Sequence, residues 1–454
     1  MSRGETASRR RWSGVRRGGR LALLAIVCVA ASGWSAEPDG EPPALVPALS
    51  PEFGARIEAL PAFLRDTRFI LHLRTFYQNV ETKPGKYEEA WAGGGWLALQ
   101  SGWLWDTWSV GATGYTSQPL YAPASREGTL LLEPDGQGFT VLGEAWAKLR
   151  YEDHVLTGYR QLVDLGYVNP YDGRMAPNTF EGAMLTGKVG WLEYTAGYLT
   201  QMKPRDEDEF ISMSEAAGAG RTNEGAALAG LRLQPWKSLW VEANTVFAVD
   251  TFNTAFVQTQ YTHALNDDVT LSLGVQYTDQ RSVGEELVGA FQTWTVGARA
   301  TLDFFGASVA PSFHRTGSGN NIQTPFGRWP GYLKLITKDF DLARQTALGV
   351  RLAYDFGRIG APGLTSRFFF ASGMDAINPK NRKAEPDERE YDFDVLYAPS
   401  KAWLEGFSFR VRVGLVQQTG VSGLLPDIRL IMNYDLSVLR GRLARRLRAW
   451  WEED

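Results

Sequence analysis

Residues 269–277 read Val269-Thr270-Leu271-Ser272-Leu273-Gly274-Val275-Gln276-Tyr277. Val269, Leu271, Leu273, Val275 and Tyr277 share one face of an extended chain, and Thr270, Ser272, Gly274 and Gln276 share the other. Residues 294–304 repeat the pattern, with Trp294, Val296, Ala298, Ala300, Leu302 and Phe304 set against Thr295, Gly297, Arg299, Thr301 and Asp303. Residues 66–77 place Phe69, Leu71, Leu73, Thr75 and Tyr77 opposite Arg68, Ile70, His72, Arg74 and Phe76, and residues 407–413 and 428–436 alternate likewise. Strict period-two alternation of this kind predicts β-strands with one apolar and one polar face.

Strand length separates the two folds that share this signal. Sandwich strands average ~5–6 residues, whereas a tilted membrane-spanning strand needs ~9–11. The segments here fit the longer class. Aromatic residues gather near segment ends (Trp103, Trp105 and Trp108; Trp236 and Trp240; Phe368, Phe369 and Phe370), as interfacial girdles require. Short polar links such as residues 265–268 alternate with long loops at 121–138, 203–221, 316–331 and 373–389. The predicted fold is all-β: a transmembrane antiparallel β-barrel over residues 66–439, and about 370 residues at roughly twenty per strand and connector allow about 16–18 strands. Such a barrel is wide enough to keep a lumen.

The rest of the 454-residue chain fits an exported protein. Arg3, Arg9, Arg10, Arg11, Arg16, Arg17 and Arg20 precede a short apolar core at 21–31 and small residues, so residues 1–32 read as a cleavable secretory signal. Residues 33–65 form a Pro-rich periplasmic leader, and residues 440–454 a basic amphipathic tail suited to a membrane surface. The only cysteine, Cys28, lies inside the signal, which excludes a disulfide scaffold and a thiolate metal site. The chain carries 47 basic against 51 acidic residues, and losing seven arginines with the signal makes it more acidic still. Nucleic acid is therefore excluded as a partner.

Against this acidic total, the polar strand face reads as basic. Arg68, His72, Arg74, Lys148, Arg150, Arg160, Arg232, Arg299, Arg351, Arg367, Arg410, Arg412 and Arg429 fall in phase on it. Glu144, Glu242, Asp303, Asp355 and Asp435 are the fewer acids there. Most acids are expected in loops, as in 205–209 and 385–394. Guanidinium forks match carboxylates bidentately, and charged rows set pore selectivity. The expected partners are the lipid bilayer, lipopolysaccharide, the barrel-assembly machinery, and small anionic or zwitterionic solutes. Monomer and homo-oligomer both stay open. No cofactor is expected, and four scattered histidines near no hydrolase or metalloprotease motif argue against an enzyme. The alternatives are a structural or adhesive barrel, an outer-membrane hydrolase, and a calcium site in the acidic run 205–209.

Several segments, taken in order, resemble the OprD-like family of Gram-negative outer-membrane carboxylate channels. They include Phe63-Leu64-Arg65-Asp66, Leu73-Arg74-Thr75-Phe76-Tyr77, Gln100-Ser101-Gly102, the stretch 172–182, Lys338-Asp339-Phe340, Tyr354-Asp355-Phe356, Phe407-Ser408-Phe409-Arg410-Val411-Arg412, and the stretch 428–439. The resemblance implies an 18-stranded outer-membrane porin that passes small carboxylate solutes through a loop-narrowed eyelet beside a basic ladder. By motif position Arg410, Arg412 and Arg429 match that ladder, and strand phase alone adds Lys148, Arg150, Arg299, Arg351 and Arg367 as candidates for the same path. The stretch 172–182, with Asp172 and Arg174, resembles the constricting third loop, and residues 316–339, with Tyr332, resemble a second inward loop.

Overall fold

The computed structural model describes residues 59–399 and 404–438. The signal segment, most of the leader and the basic tail lie outside the described residues. Eighteen long strands follow one another around a closed antiparallel cylinder. They are β1 (Arg68–Lys83), β2 (Lys86–Gln100), β3 (Trp108–Tyr121), β4 (Phe139–Tyr151), β5 (His154–Gln161) and β6 (Thr179–Val189). Next come β7 (Leu192–Lys203), β8 (Ala226–Trp236), β9 (Leu239–Ala248), β10 (Phe252–Ala264), β11 (Val269–Ser282) and β12 (Gln292–Phe304). The last six are β13 (Ala307–Thr316), β14 (Thr346–Asp355), β15 (Leu364–Met374), β16 (Glu388–Tyr397), β17 (Phe407–Gln418) and β18 (Leu425–Val438). A two-residue bridge (Ile211–Ser212) and a helical turn (Met213–Ala216) decorate the loop after β7.

Closure is made by β1 against β18, in register from Phe69↔Val438 to Val80↔Asp427. A hydrocarbon environment offers no water to an exposed N–H or C=O, so this seam is what makes the spanning sheet viable. The turns at one end are short, such as Glu152-Asp153 between β4 and β5 and Phe305-Gly306 between β12 and β13. The other end carries the long connections, including 122–138, 162–178, 204–225 and 317–345. In outer-membrane barrels the short turns face the periplasm and the long loops face outward.

Two of the short sequence segments meet at the periplasmic end. The helical turn Ala62–Arg65 packs beneath the barrel wall, and the Gly102 amide donates to Phe63 O at 2.9 Å. A Cβ on Gly102 would stand 2.1 Å from Ala62 O, so only glycine admits this approach.

The two faces sort as the alternation requires. Leu73, Leu97, Val257, Leu273, Val275, Leu348, Phe393, Val411 and Leu430 project outward and stay exposed, as a lipid-facing surface does. Their neighbours in sequence point inward. Trp105 at 81% and Trp236 at 65% exposure mark the periplasmic rim. Trp240 and Phe369 leave the expected girdle: Trp240 is buried on the inner face under Arg232, and Phe369 packs inside against Leu333 and Phe340.

Four expectations need correction. The strands run longer than their apolar cores; β11 extends to Ser282 because Asp279, Gln280 and Arg281 continue the ladder pairing with β12. Residues 179–182 belong to β6, not to the third loop. Residues 388–394 are not loop: Glu388, Glu390, Asp392 and Asp394 form the buried inner face of β16. Arg160 pairs in register with Ala145, one residue out of phase with the Lys148↔Thr157 pair, so it falls on the opposite face and meets Glu181 at 3.2 Å. The inner wall is also less polar than expected. Phe180, Leu199, Leu228, Phe252 and Phe326 form an apolar cluster that seats the inward loops on one side of the lumen.

Candidate functional site: the loop-narrowed lumen

Two loops fold into the cylinder and meet. Within 162–178, Asn169 accepts the Arg328 amide at 2.7 Å and donates to Arg328 O at 2.9 Å, tying this loop to 317–345. The second loop crosses the lumen as a strap. On β11, Gln276 donates to Pro330 O at 2.8 Å and Gln280 exchanges two 2.8 Å bonds with Gln323. On the far side, the strap tip docks onto the acidic face of β16. Asp392 accepts the Ile336 amide at 2.8 Å, and Glu390 accepts the Thr337 and Lys338 amides at 2.7 Å each. Glu388 takes the Lys338 ammonium at 2.8 Å. The β16 carboxylates thus satisfy three strap amides that would otherwise be left inside the barrel, where an unmade bond costs more than a made one returns.

The basic wall stands beside this clasp. Arg412 and Arg429 are register partners on β17 and β18, both facing inward. Arg410 binds Asp394 at 2.8 Å, and Arg412 lies 3.4 Å from the same carboxylate. Arg429 makes a fork to Asp427 (2.7 and 3.1 Å) and donates to Ile336 O at 2.8 Å, so a ladder arginine also holds the strap. On β1, Arg74 binds Asn433 at 2.9 Å and Asp172 at 2.8 Å, and it also donates to Arg174 O. Trp96 stacks on His72 at 3.7 Å, and His72 in turn meets Asp435 at 2.6 Å.

Asp172 therefore anchors the third loop to the wall. Arg174 is buried in that loop, donating to Thr129 O and Gly173 O at 2.8 Å. Desolvation, with Arg429 and Arg205 nearby, pushes its pKa well down. Tyr332 lays its ring 4.3 Å from the Arg299 guanidinium, and its amide donates to His314 Nε2 at 2.9 Å. Arg299, Arg351 and Arg367 share the inner face of β12, β14 and β15. Lys148 lies on the inner face of β4, 4.4 Å from the Trp146 ring. Arg150 sits lower, at the periplasmic rim, against Asp106 and 4.1 Å from the Trp103 ring. Asp355 caps the turn after β14 through the Gly357 amide, at the rim.

Three further residues reach the constriction that sequence spacing did not single out. Arg205, from the loop after β7, lies 3.9 Å from the Tyr171 ring, and Lys334 of the strap lies 4.7 Å from the same ring. Tyr171, Arg205 and Lys334 come from three loops more than thirty residues apart, so no local periodicity links them. Burial pushes the Tyr171 phenol up, yet Lys334, Arg205 and Arg174 outweigh burial and bring its pKa down to about 7.

A wide antiparallel barrel with an inward-folded double constriction and a charged bore is a porin. The comparisons identify the kind. The family model described as outer membrane porin, OprD family, matches residues 61–438, and the chain belongs to that family. No curated protein matches the chain. Among solved structures, OccK9 (OpdG) of Pseudomonas aeruginosa is similar at 22% identity and TM-score 0.76, covering 83% of this chain and all of its own. A BenF-like porin from Pseudomonas fluorescens Pf-5 is similar at 21% identity and TM-score 0.75, over 83% of this chain and all of its own. Pseudomonas aeruginosa OpdK, solved with vanillate, is similar at 21% and TM-score 0.74 over the same shares.

Glu390→Gln should leave one strap amide without its acceptor, loosening the clasp by about 1.5–3 kcal/mol. Single-channel recording is expected to show larger, noisier conductance with normal gel heat-modifiability; an unchanged trace would contradict the clasp. Because deprotonation puts negative charge on Tyr171, anion preference should fall as pH rises through about 7. Tyr171→Phe should flatten that profile in reversal-potential measurements; an equally pH-dependent variant would refute the assignment.

Proposed function

We propose that this outer-membrane porin gives passive, selective diffusion to small carboxylate-bearing solutes. The observation that carries the reading is the gathering of Arg429, Arg205 and Lys334 around Tyr171 where the inward loops meet the wall, with Arg412 beside Arg429. Fixed cations lining a narrow bore raise the local concentration of anions and penalise cations. Planar guanidiniums further favour carboxylate over halide, because two parallel N–H donors fit its two oxygens.

Pairing tempers the cationic wall without erasing it. Arg410 and Arg429 each hold an acid of the wall, and that fixes their geometry. Arg412 lies 3.4 Å from the Asp394 carboxylate that Arg410 binds, with Asp392 the next acid along the same face. Of its relatives, OpdK has been solved with vanillate, an aromatic carboxylate, which agrees with this solute class.

The test is liposome swelling together with the zero-current potential across a salt gradient. Small carboxylates are expected to enter faster than neutral sugars of equal size, and Arg412→Glu should shift the potential toward cations. Equal rates, or an unmoved potential in the variant, would overturn the reading.

A further inference from the structure

The strap is fastened by two kinds of group, and they stand at opposite ends of it. Its base, toward β11 and the third loop, is held by neutral amides: Gln276 on Pro330 O, Gln280 on Gln323, and Asn169 on Arg328. Its tip, residues 336–338, is held by carboxylates of β16. Between base and tip, the Tyr332 amide rests on His314 Nε2, whose charged neighbour is Arg299.

The two clasp acids are not equivalent toward a proton. Glu390 uses both oxygens, Oε1 on the Thr337 amide and Oε2 on the Lys338 amide. Asp392 uses only Oδ2, on the Ile336 amide; its Oδ1 is buried, and no donor among the described residues reaches it. A Cβ built on Gly414 would stand 3.2 Å from Asp392 Oδ1, from Glu390 Oε1 and from the Thr337 hydroxyl, so the two carboxyls converge over that glycine. A first proton therefore has a site, on Asp392 Oδ1 facing Glu390, that breaks no strap bond. A second proton has none, because on Glu390 it falls on an oxygen already accepting an amide. There it turns a charge-assisted acceptor into a neutral one of roughly half the strength.

The charged groups around the pair come from four elements. On β16 itself, Glu388 holds Lys338 at 2.8 Å and Asp394 holds Arg410 at 2.8 Å. Arg412 of β17 and Arg429 of β18 face Asp392, and Arg429 also holds Asp427. On β15 the register partners of Glu390 and Asp392 are Ala371 and Phe369, and Arg367 stands one inward pair further, opposite Asp394. From the strap, Lys334 holds Asp339 at 3.0 Å, with Asp341 beside that pair.

We propose that the strap is an acid-released lid, whose tip stays on β16 while Glu390 is ionised and lifts away when both clasp carboxyls are protonated, widening the bore. The clasp is complete above the carboxylate range and is lost as pH falls through it. The base stays in place, since Gln276, Gln280 and Asn169 do not titrate. Leu333, Leu335 and Phe340 pack on Ala347 and Ala371, and Arg429 binds Ile336 O; no proton removes these contacts. They oppose release and return the tip when pH rises.

The experiment is liposome swelling with two uncharged sugars, arabinose and the larger raffinose, at pH 7.5 and pH 4. Neutral probes separate a wider bore from a merely more cationic one. The raffinose-to-arabinose rate ratio is expected to rise about tenfold in acid, the shift that one charge-assisted bond carries. Glu390→Gln, which cannot ionise, should show a raised ratio at pH 7.5 and little further change at pH 4. The double variant Thr337→Cys/Gly414→Cys places two thiols where a disulfide fits, joining the tip to the wall. Oxidised, it should keep the low ratio at both pH values, and reduction should restore the acid response. Gel heat-modifiability shows that each barrel is folded at both pH values. An oxidised double variant that still widens in acid would overturn the lid. So would an unchanged ratio in an unmodified channel that prefers carboxylates at pH 7.5, and that result would leave the proposed function standing.

Discussion

The structure depends first on the pairing of every main-chain amide where the chain crosses lipid. That requirement forces β18 back onto β1 and turns a meander into a cylinder. Once closed, the sheet has two unlike environments, and the dyad repeat assigns each residue to one of them. Leu273 and Val275 go to lipid, and Ser272, Gly274 and Gln276 go inward, from one nine-residue stretch. The same requirement recurs inside the lumen on a smaller scale. A strap that crosses a barrel carries amides with no sheet to pair with. Here the carboxylates of Glu390 and Asp392 supply the acceptors, and Arg429 supplies the donor for Ile336 O.

Fastening and the charge of the wall thus use the same residues. The acids of β16 neutralise part of the basic wall, and they also fix the element that narrows it. Arg429 belongs to both the wall and the clasp, and Arg74 joins the wall to the third loop through Asp172. The apolar cluster around Phe180, Phe252 and Phe326 supports the loops from the other side. The bore is therefore what remains between an apolar buttress and a charged wall, and its charge is set by which arginines lack an acid.

Much of this was legible in the residues. Alternation at 269–277 and 294–304 gave strands and their faces, because period two is a local property of the backbone. The charge density of 385–394 suggests a loop, whereas Glu388–Tyr397 is a strand whose acids are buried inward. Its own alternation, Tyr391, Phe393 and Val395 against Glu390, Asp392 and Asp394, was present and would have assigned it. Arg160 was misplaced because its face follows from register with β4, not from its own segment. Tyr171, Arg205 and Lys334 were beyond reach, since they meet only after three loops fold into one space. Which arginines hold an acid is likewise a long-range fact; Arg410 and Asp394 lie on neighbouring strands, and Arg351 has no such neighbour.

The most direct measurement is thiol labelling in proteoliposomes, with single cysteines introduced at Arg351, Arg412 and Leu273 in a chain whose only natural cysteine is Cys28. A negatively charged, membrane-impermeant methanethiosulfonate is expected to label the first two and spare Leu273→Cys. Labelling at Leu273 with protection at both arginine positions would turn the barrel inside out and contradict the water-filled, arginine-lined bore.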